Sequence, residues 1–111
     1  MIEDRLAAER EQALAQIAAL SAERTDVVAG RDLVATDDEH DPEGATIAFE
    51  HARLGALLLQ ARQRVVAVDR AQERLRAGVL HLCERCGSEI PPERRDARPT
   101  ATTCLTCATR R

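Results

Sequence analysis

The sequence predicts a mainly α-helical protein, in which a long antiparallel coiled-coil hairpin is followed by a small C-terminal domain that binds zinc through four cysteines. Three observations lead to this fold class. Apolar residues recur at every seventh position in two long stretches, as they do in helices that pack along a supercoiled seam. A short acidic segment separates the stretches, and the four cysteines lie near the C-terminus. We expect the hairpin at residues 1–80 and the zinc domain at residues 81–111.

The first helix, expected within residues 2–35, carries the weaker seam. One position of its heptad is apolar throughout, at Leu6, Ala13, Leu20, Val27 and Val34. The alternate position holds Ile17 but also Arg10, Arg24 and Arg31. Because these alanine and arginine side chains bury little apolar surface, we expect packing against the second helix to hold the first one and its seam arginines to stay exposed. Gly30 predicts fraying or a bend, since glycine costs about 1 kcal/mol in a helix interior.

The second helix, expected at residues 45–80, has the more regular seam. Its apolar positions are Ile47, Leu54, Ala61, Val68, Leu75 and Leu82, with Leu58, Val65 and Val79 at the alternate step. Gly78 allows this helix to end as the chain enters the zinc domain. His40 and His51 are expected to be exposed.

Residues 36–44 are the acidic break between the two helices and the predicted tip of the hairpin. Asp41 followed by Pro42 is typical of an N-cap and a first helical position, because proline has no N–H to lose there. On the residues alone, this segment is more often a solvated turn whose acids favour the positive end of the second helix than a functional site.

The cysteines form two CxxC pairs, Cys83 with Cys86 and Cys104 with Cys107, separated by seventeen residues. This spacing predicts one structural zinc ion in a closed tetrahedron of four thiolates. A redox pair would need only one CxxC in a βαβ setting, and two disulfides would need an oxidising compartment. His81 is close to Cys83 in sequence, but four thiolates already fill the shell, so we expect His81 to be exposed.

Composition and charge exclude several function classes. The formal net charge is −3 and all sixteen basic residues are arginine, so tight binding to duplex phosphates or direct sequence-specific DNA binding is not expected. There is no apolar run long enough for a membrane span and no secretory signal pattern, which favours the cytoplasm. The residues contain no nucleophile–base pair or phosphate loop, so we do not expect an enzyme.

The cysteine segment resembles the zinc-finger signature of the DksA/TraR family. The shared elements are CxxCG, Ile90, Arg94, the triplet at residues 97–99 and the seventeen-residue spacing between the cysteine pairs. A long coiled-coil hairpin before that finger is also the family's architecture. The resemblance therefore extends over nearly the whole chain, with the finger as its specific part.

This resemblance implies a transcription regulator that binds bacterial RNA polymerase and inserts the hairpin into the secondary channel, so that the acidic tip approaches the active site. The family's tip motif is Asp-x-x-Asp-x-Ala. Asp38 and Asp41 match its two aspartates, whereas Glu43 stands at the alanine position. We expect this departure to affect regulatory output more than docking.

The resemblance also bears on alarmones, which some family members bind through basic side chains. Two of those positions are Ala67 and Ala108 here, and only Arg98 keeps its charge. We therefore expect alarmone binding to be weak or absent. Two other classes stay open at this point: an adaptor whose hairpin pairs with another coiled coil, favoured by exposed seam arginines, and a nucleic-acid-binding ribbon.

Overall fold

The computed structural model describes residues 2–33 and 42–110. Its four helices are α1 (Ile2–Leu33), α2 (Pro42–Arg76), α3 (Pro92–Ala97) and α4 (Leu105–Thr109). Among these described residues, β pairing is limited to one isolated antiparallel bridge, between Leu82 and Glu89. The predicted mainly α fold class, with two long helices and a C-terminal cysteine cluster, is confirmed. In the part of the chain that the structure describes, no helix has the length and apolar character to cross a membrane.

The chain divides into two compact units. We call Gln12–Gln63 the coil unit, and Met1–Glu11 together with Arg64–Arg111 the finger unit. Each unit contains a segment of α1 and a segment of α2. The division of the chain into domains at residue 80 stays a prediction.

Apolar side chains from both helices form the core of the coil unit. Leu20 of α1 clusters with Leu54, Leu58 and Ala61 of α2. Further toward the end of α1, the Nε of Arg24 donates to His51 Nε2 at 3.1 Å. Since the later α1 residue contacts the earlier α2 residue, the two segments run antiparallel within this unit.

The finger unit has the same antiparallel pairing. Leu6 of α1 is fully buried and clusters with Val68 and Ala71 of α2 and with Leu80 beyond the helix. An ion pair of 2.8 Å joins Arg10 Nε to an Asp69 carboxylate oxygen. The seam positions that the heptads predicted and that are buried in the two units are Leu6, Ala13, Leu20, Leu54, Leu58, Ala61 and Val68.

The prediction that the seam arginines are exposed is wrong for Arg10 and Arg24. Both are half-buried, because Arg10 pairs with Asp69 and Arg24 hydrogen-bonds His51. His51 was also expected to be exposed, and it is half-buried for the same reason. Position 31 lies outside the described side chains. The α2 surface therefore supplies polar partners where α1 lacks apolar residues.

The second helix ends earlier than predicted. The Gly78 amide donates to Leu75 O at 3.0 Å and the Val79 amide to Arg74 O at 2.9 Å, which is the hydrogen-bond pattern of a Schellman motif. Gly78 has φ +75°, a left-handed conformation that disfavours side chains. Val79 and Leu82 are consequently beyond the helix, so their predicted helical seam positions are wrong.

The start of α2 agrees with the sequence signal, since Pro42 is its first residue. Gly30 lies inside α1, which continues to Leu33. The predicted N-cap Asp41, together with Asp38 and most of the tip, lies outside the described residues. Glu43 belongs to the first turn of α2, but its side chain is also outside the described part.

Candidate metal centre

Each cysteine pair sits in a tight local turn. In the first turn, the Gly87 amide donates to Cys83 O at 2.9 Å, and the Cys83 amide donates to Ser88 O at 2.8 Å. Gly87 has φ +77°, and its lack of a Cβ lets the chain reverse directly after Cys86. The chain therefore turns sharply at the glycine that follows the second cysteine.

The second pair lies at the start of α4. Cys104 is the N-cap residue, and its Sγ accepts from the Cys107 amide at 3.5 Å. The Ala108 amide donates to Cys104 O at 2.9 Å. Both pairs therefore expose their sulfur atoms on the inner side of a short turn, which is how CxxC pairs present thiolates to a metal.

The four thiols converge on one point. Their Sγ atoms all lie within 4.8 Å of one another, and Cys86 Sγ is 3.7 Å from Cys104 Sγ. A zinc–sulfur bond of about 2.3 Å implies an edge of about 3.8 Å between sulfurs at the corners of a tetrahedron. The four sulfurs thus fit a tetrahedral zinc ion. Cys86 and Cys104, which belong to different CxxC pairs, are in direct contact. Neither a single redox pair nor two separate disulfides would require that contact.

The surroundings of the thiols shift their pKa values in different directions. Burial opposes ionisation of Cys83, but backbone N–H groups of Cys104, Cys86 and Arg85 outweigh it and lower its pKa to about 6. The hydrogen bond from the Ser88 hydroxyl lowers the pKa of Cys86. The hydrogen bond with Cys104 and burial raise the pKa of Cys107 to about 12. A divalent cation bound among the sulfurs would favour ionisation of all four thiols, because its charge stabilises every thiolate.

One apolar side chain packs against the cysteines. Ile90 is fully buried and clusters with Cys83 and Cys107, which are also buried. The other large apolar residue of the finger, Leu105, is 61% exposed. So small a core cannot order the segment alone, and metal binding must supply most of its folding free energy.

Arginines connect the finger's loops to one another. Arg85 Nη1 donates to Cys107 O at 3.1 Å, and Arg94 Nε donates to Thr103 O at 2.9 Å. Arg95 Nε donates to Ile90 O at 3.3 Å. These hydrogen bonds pack Arg94 and Arg95 against the backbone of the finger itself.

A second set of contacts attaches the finger to α2 within the finger unit. Glu84 accepts from Arg70 and, through its other carboxylate oxygen, from the Thr102 hydroxyl at 3.1 Å. Arg74 Nη2 donates to Val79 O at 3.0 Å and to Leu82 O at 2.6 Å. These contacts fix the path of the chain between α2 and Cys83.

Sequence reasoning did not identify Arg70, Arg74, Glu84 or Thr102 as supports of the metal centre. No motif marks them, because each acts through a contact that depends on the folded path of the chain. His81, predicted to be exposed, is exposed. The tip candidates Asp38 and Asp41 cannot be compared with this centre, because they lie outside the described residues.

Comparisons with known proteins agree with the geometry. The family model for the prokaryotic dksA/traR C4-type zinc finger matches residues 76–111. The uncharacterized protein YteA of Bacillus subtilis (strain 168) is 36% identical over 66 residues, which cover 60% of this chain and 28% of that protein. The solved structure of transcription factor DksA2 from Pseudomonas aeruginosa matches with a TM-score of 0.55 and 29% identity, over 96% of this chain and 81% of that one.

The two antiparallel helices and the four-thiol centre define a helical protein with a C4-type zinc finger, whose cofactor is one structural zinc ion. These matches support the DksA/TraR family, with the family model covering the finger at residues 76–111. The similar protein DksA2 is a transcription factor, and a family of transcription factors fits the prediction of a non-enzyme. The matched part of this chain spans about a quarter, 28%, of the length of YteA.

Proposed function

We propose that this protein regulates transcription in the bacterial cytoplasm by binding RNA polymerase and inserting its hairpin into the secondary channel. Cys83, Cys86, Cys104 and Cys107 hold the zinc as thiolates, and the metal closes the finger without taking part in chemistry. The observation that supports this proposal most is the combination of a matching C4 finger with a likeness to DksA2 over 96% of the chain.

The tip is the proposed effector of this function. Asp38 and Asp41 match the family's paired aspartates, and Glu43 follows them at the alanine position. Carboxylates at the tip would coordinate or perturb a catalytic Mg²⁺, which prefers oxygen ligands, or repel nearby nucleic-acid phosphates. The glutamate adds one more negative charge, so we expect it to change the size of the regulatory effect.

The adaptor hypothesis receives less support from the structure. It depended on exposed arginines along the α1 seam, but Arg10 and Arg24 are half-buried and hydrogen-bonded to α2. Alarmone binding is expected to be weak or absent, because Ala67 and Ala108 remove two of the basic positions that the resemblance implies.

The test is binding to purified RNA polymerase at modest ionic strength, with the zinc content of the protein verified. We expect the protein to co-purify with polymerase, and we expect Asp38→Asn/Asp41→Asn to bind equally well but to change the yield from a regulated promoter. Glu50→Gln, which removes a carboxylate from α2 outside the tip, is the matched control. Absence of association by the zinc-loaded protein contradicts the proposal, and unchanged promoter output would reduce the tip to a helix cap.

A further inference from the structure

A groove of about 340 Å³ lies between α1 and α2 in the coil unit. Its polar lining consists of Ser21, Arg24 and Thr25 from α1 and of His51 and Arg62 from α2. Val28 and Leu58 complete it, and none of these lining residues is acidic. The groove shares no residue with the cysteine centre, and the proposed function makes no use of it.

The Arg24 guanidinium is held in place at this groove. Its Nε donates to His51 Nε2 at 3.1 Å, which requires that this ring nitrogen carry no proton. A Cβ built on Gly55 would lie 3.6 Å from Arg24 Nη2, so the guanidinium lies against the helix surface where α2 has no side chain. A cation fixed in this way loses little side-chain entropy when it binds an anion.

The lining of this groove contains two guanidiniums and no carboxylate, whereas Asp96 and Glu9 line two other grooves of the described residues. Elsewhere the ion pairs of the described residues are Arg10–Asp69, Arg53–Glu50, Arg64–Glu9 and Arg70–Glu84. Within the described part of the chain, Arg24 and Arg62 form no ion pair, although both line the same groove. The held guanidinium of Arg24 and the exposed one of Arg62 place two positive charges on one concave surface, which creates a positive potential that attracts anions.

We propose that this groove binds a small phosphate-bearing anion, with Arg24 and Arg62 contacting its oxygens. Guanidinium groups match phosphate geometry through two parallel N–H donors, and such charge-assisted hydrogen bonds are stronger than neutral ones. The Thr25 hydroxyl already donates to Ser21 O at 3.0 Å, so the Ser21 hydroxyl is the further donor that the groove offers. Because two guanidiniums line the groove, a pyrophosphate group is favoured over a single carboxylate.

Isothermal titration calorimetry of the whole zinc-loaded chain with pyrophosphate at low ionic strength tests this site. We expect saturable binding, which Arg24→Gln and Arg62→Gln each weaken about tenfold or more, as expected for loss of a charged hydrogen-bond pair. Arg76→Gln removes the same charge from the exposed last residue of α2, outside the groove, and should leave affinity within about twofold. Orthophosphate and sulfate, titrated in parallel, separate a preference for two linked phosphates from attraction to any anion.

Amide chemical shifts recorded during the titration locate the site, and the zinc content measured afterwards excludes metal extraction by pyrophosphate. Shifts centred on residues 21–25, 51 and 62, lost in Arg62→Gln, support the proposal. No saturable binding, affinity equal for the groove and control variants, or shifts confined to the finger would overturn it. Thermal melting of each variant shows whether weaker binding reflects a misfolded hairpin, and Arg62→Lys, which keeps the charge but loses the planar donor pair, should bind more tightly than Arg62→Gln.

Discussion

The burial of Ile90 makes the coupling between folding and zinc binding measurable. Ile90 is fully buried against Cys83 and Cys107, whereas Leu105 in the same finger is 61% exposed. Isoleucine and leucine are isomers, so Ile90→Ala and Leu105→Ala delete the same number of carbon atoms. The two substitutions therefore differ in the environment of the deleted atoms and little in their chemistry.

The expected cost follows from that environment. Each variant loses three carbon groups, and at about 0.8 kcal/mol for each buried group the lost transfer free energy for Ile90→Ala is roughly 2.4 kcal/mol. The cavity left between two cysteines raises the cost toward about 3 kcal/mol, within the range for isoleucine-to-alanine changes in cores. Leu105→Ala should cost less than about 0.5 kcal/mol, since the side chain is largely hydrated in the folded state.

Competition against a chromophoric zinc chelator near pH 7 converts this cost into an affinity. Because we expect the finger to fold only with its metal, the lost folding free energy is subtracted from the free energy of zinc binding. Ile90→Ala should weaken zinc binding about a hundredfold, and Leu105→Ala less than about threefold. Equal affinities for the two variants would refute the reasoning, because they would show that apolar packing contributes nothing measurable to the metal-bound finger.

Three further predictions concern zinc, the helix seam and the end of α2. Removing zinc with a strong chelator should abolish the helical signal of α3 and α4, which have six and five residues, while circular dichroism retains most of the signal of the long helices. Leu58→Ala, at a position 2% exposed, should lower the free energy of unfolding in urea by about 2–5 kcal/mol. Arg10→Ala should lower it by about 1 kcal/mol or less, because the ion pair of Arg10 with Asp69 is nearly half-exposed. A larger loss for Arg10→Ala than for Leu58→Ala would contradict an apolar seam. Gly78→Ala should lower the free energy of unfolding, measured by thermal melting, by about 1–2 kcal/mol, because φ is +75° at this position and alanine is strained there. An unchanged free energy of unfolding would contradict a left-handed cap at Gly78.

The sequence was sufficient to predict the features that have a local cause. The cysteine spacing predicted the four-thiol cluster, since two CxxC pairs at this separation are typical of a zinc site. Pro42 marked the start of α2, and Gly78, which was expected to let α2 end, has a positive φ. The heptads identified buried residues in both long helices, because the period of an apolar seam can be read from the sequence.

Features that depend on the pairing of distant residues were not predictable in the same way. Arg10 and Arg24 were expected to be exposed, but their burial depends on which α2 residues face them, and a heptad pattern does not give that register. The role of Arg74 was not predictable either. Its guanidinium donates to the Val79 and Leu82 carbonyls, which come within its reach because the chain turns at Gly78. Val79 and Leu82 fit the apolar period but lie beyond the end of α2, because the backbone hydrogen bonds around Gly78 end the helix before them.

The most direct test of the proposed function is photo-crosslinking from the hairpin tip to RNA polymerase. A photoreactive amino acid in place of His40 lies between the two aspartates that match the family motif, and the zinc cysteines remain untouched. We expect zinc-dependent crosslinks to polymerase residues that line the secondary channel near the active site, and the same variant prepared without zinc should give far fewer. Crosslinks confined to the outer surface of polymerase, or none with the zinc-loaded protein, would contradict insertion of the tip.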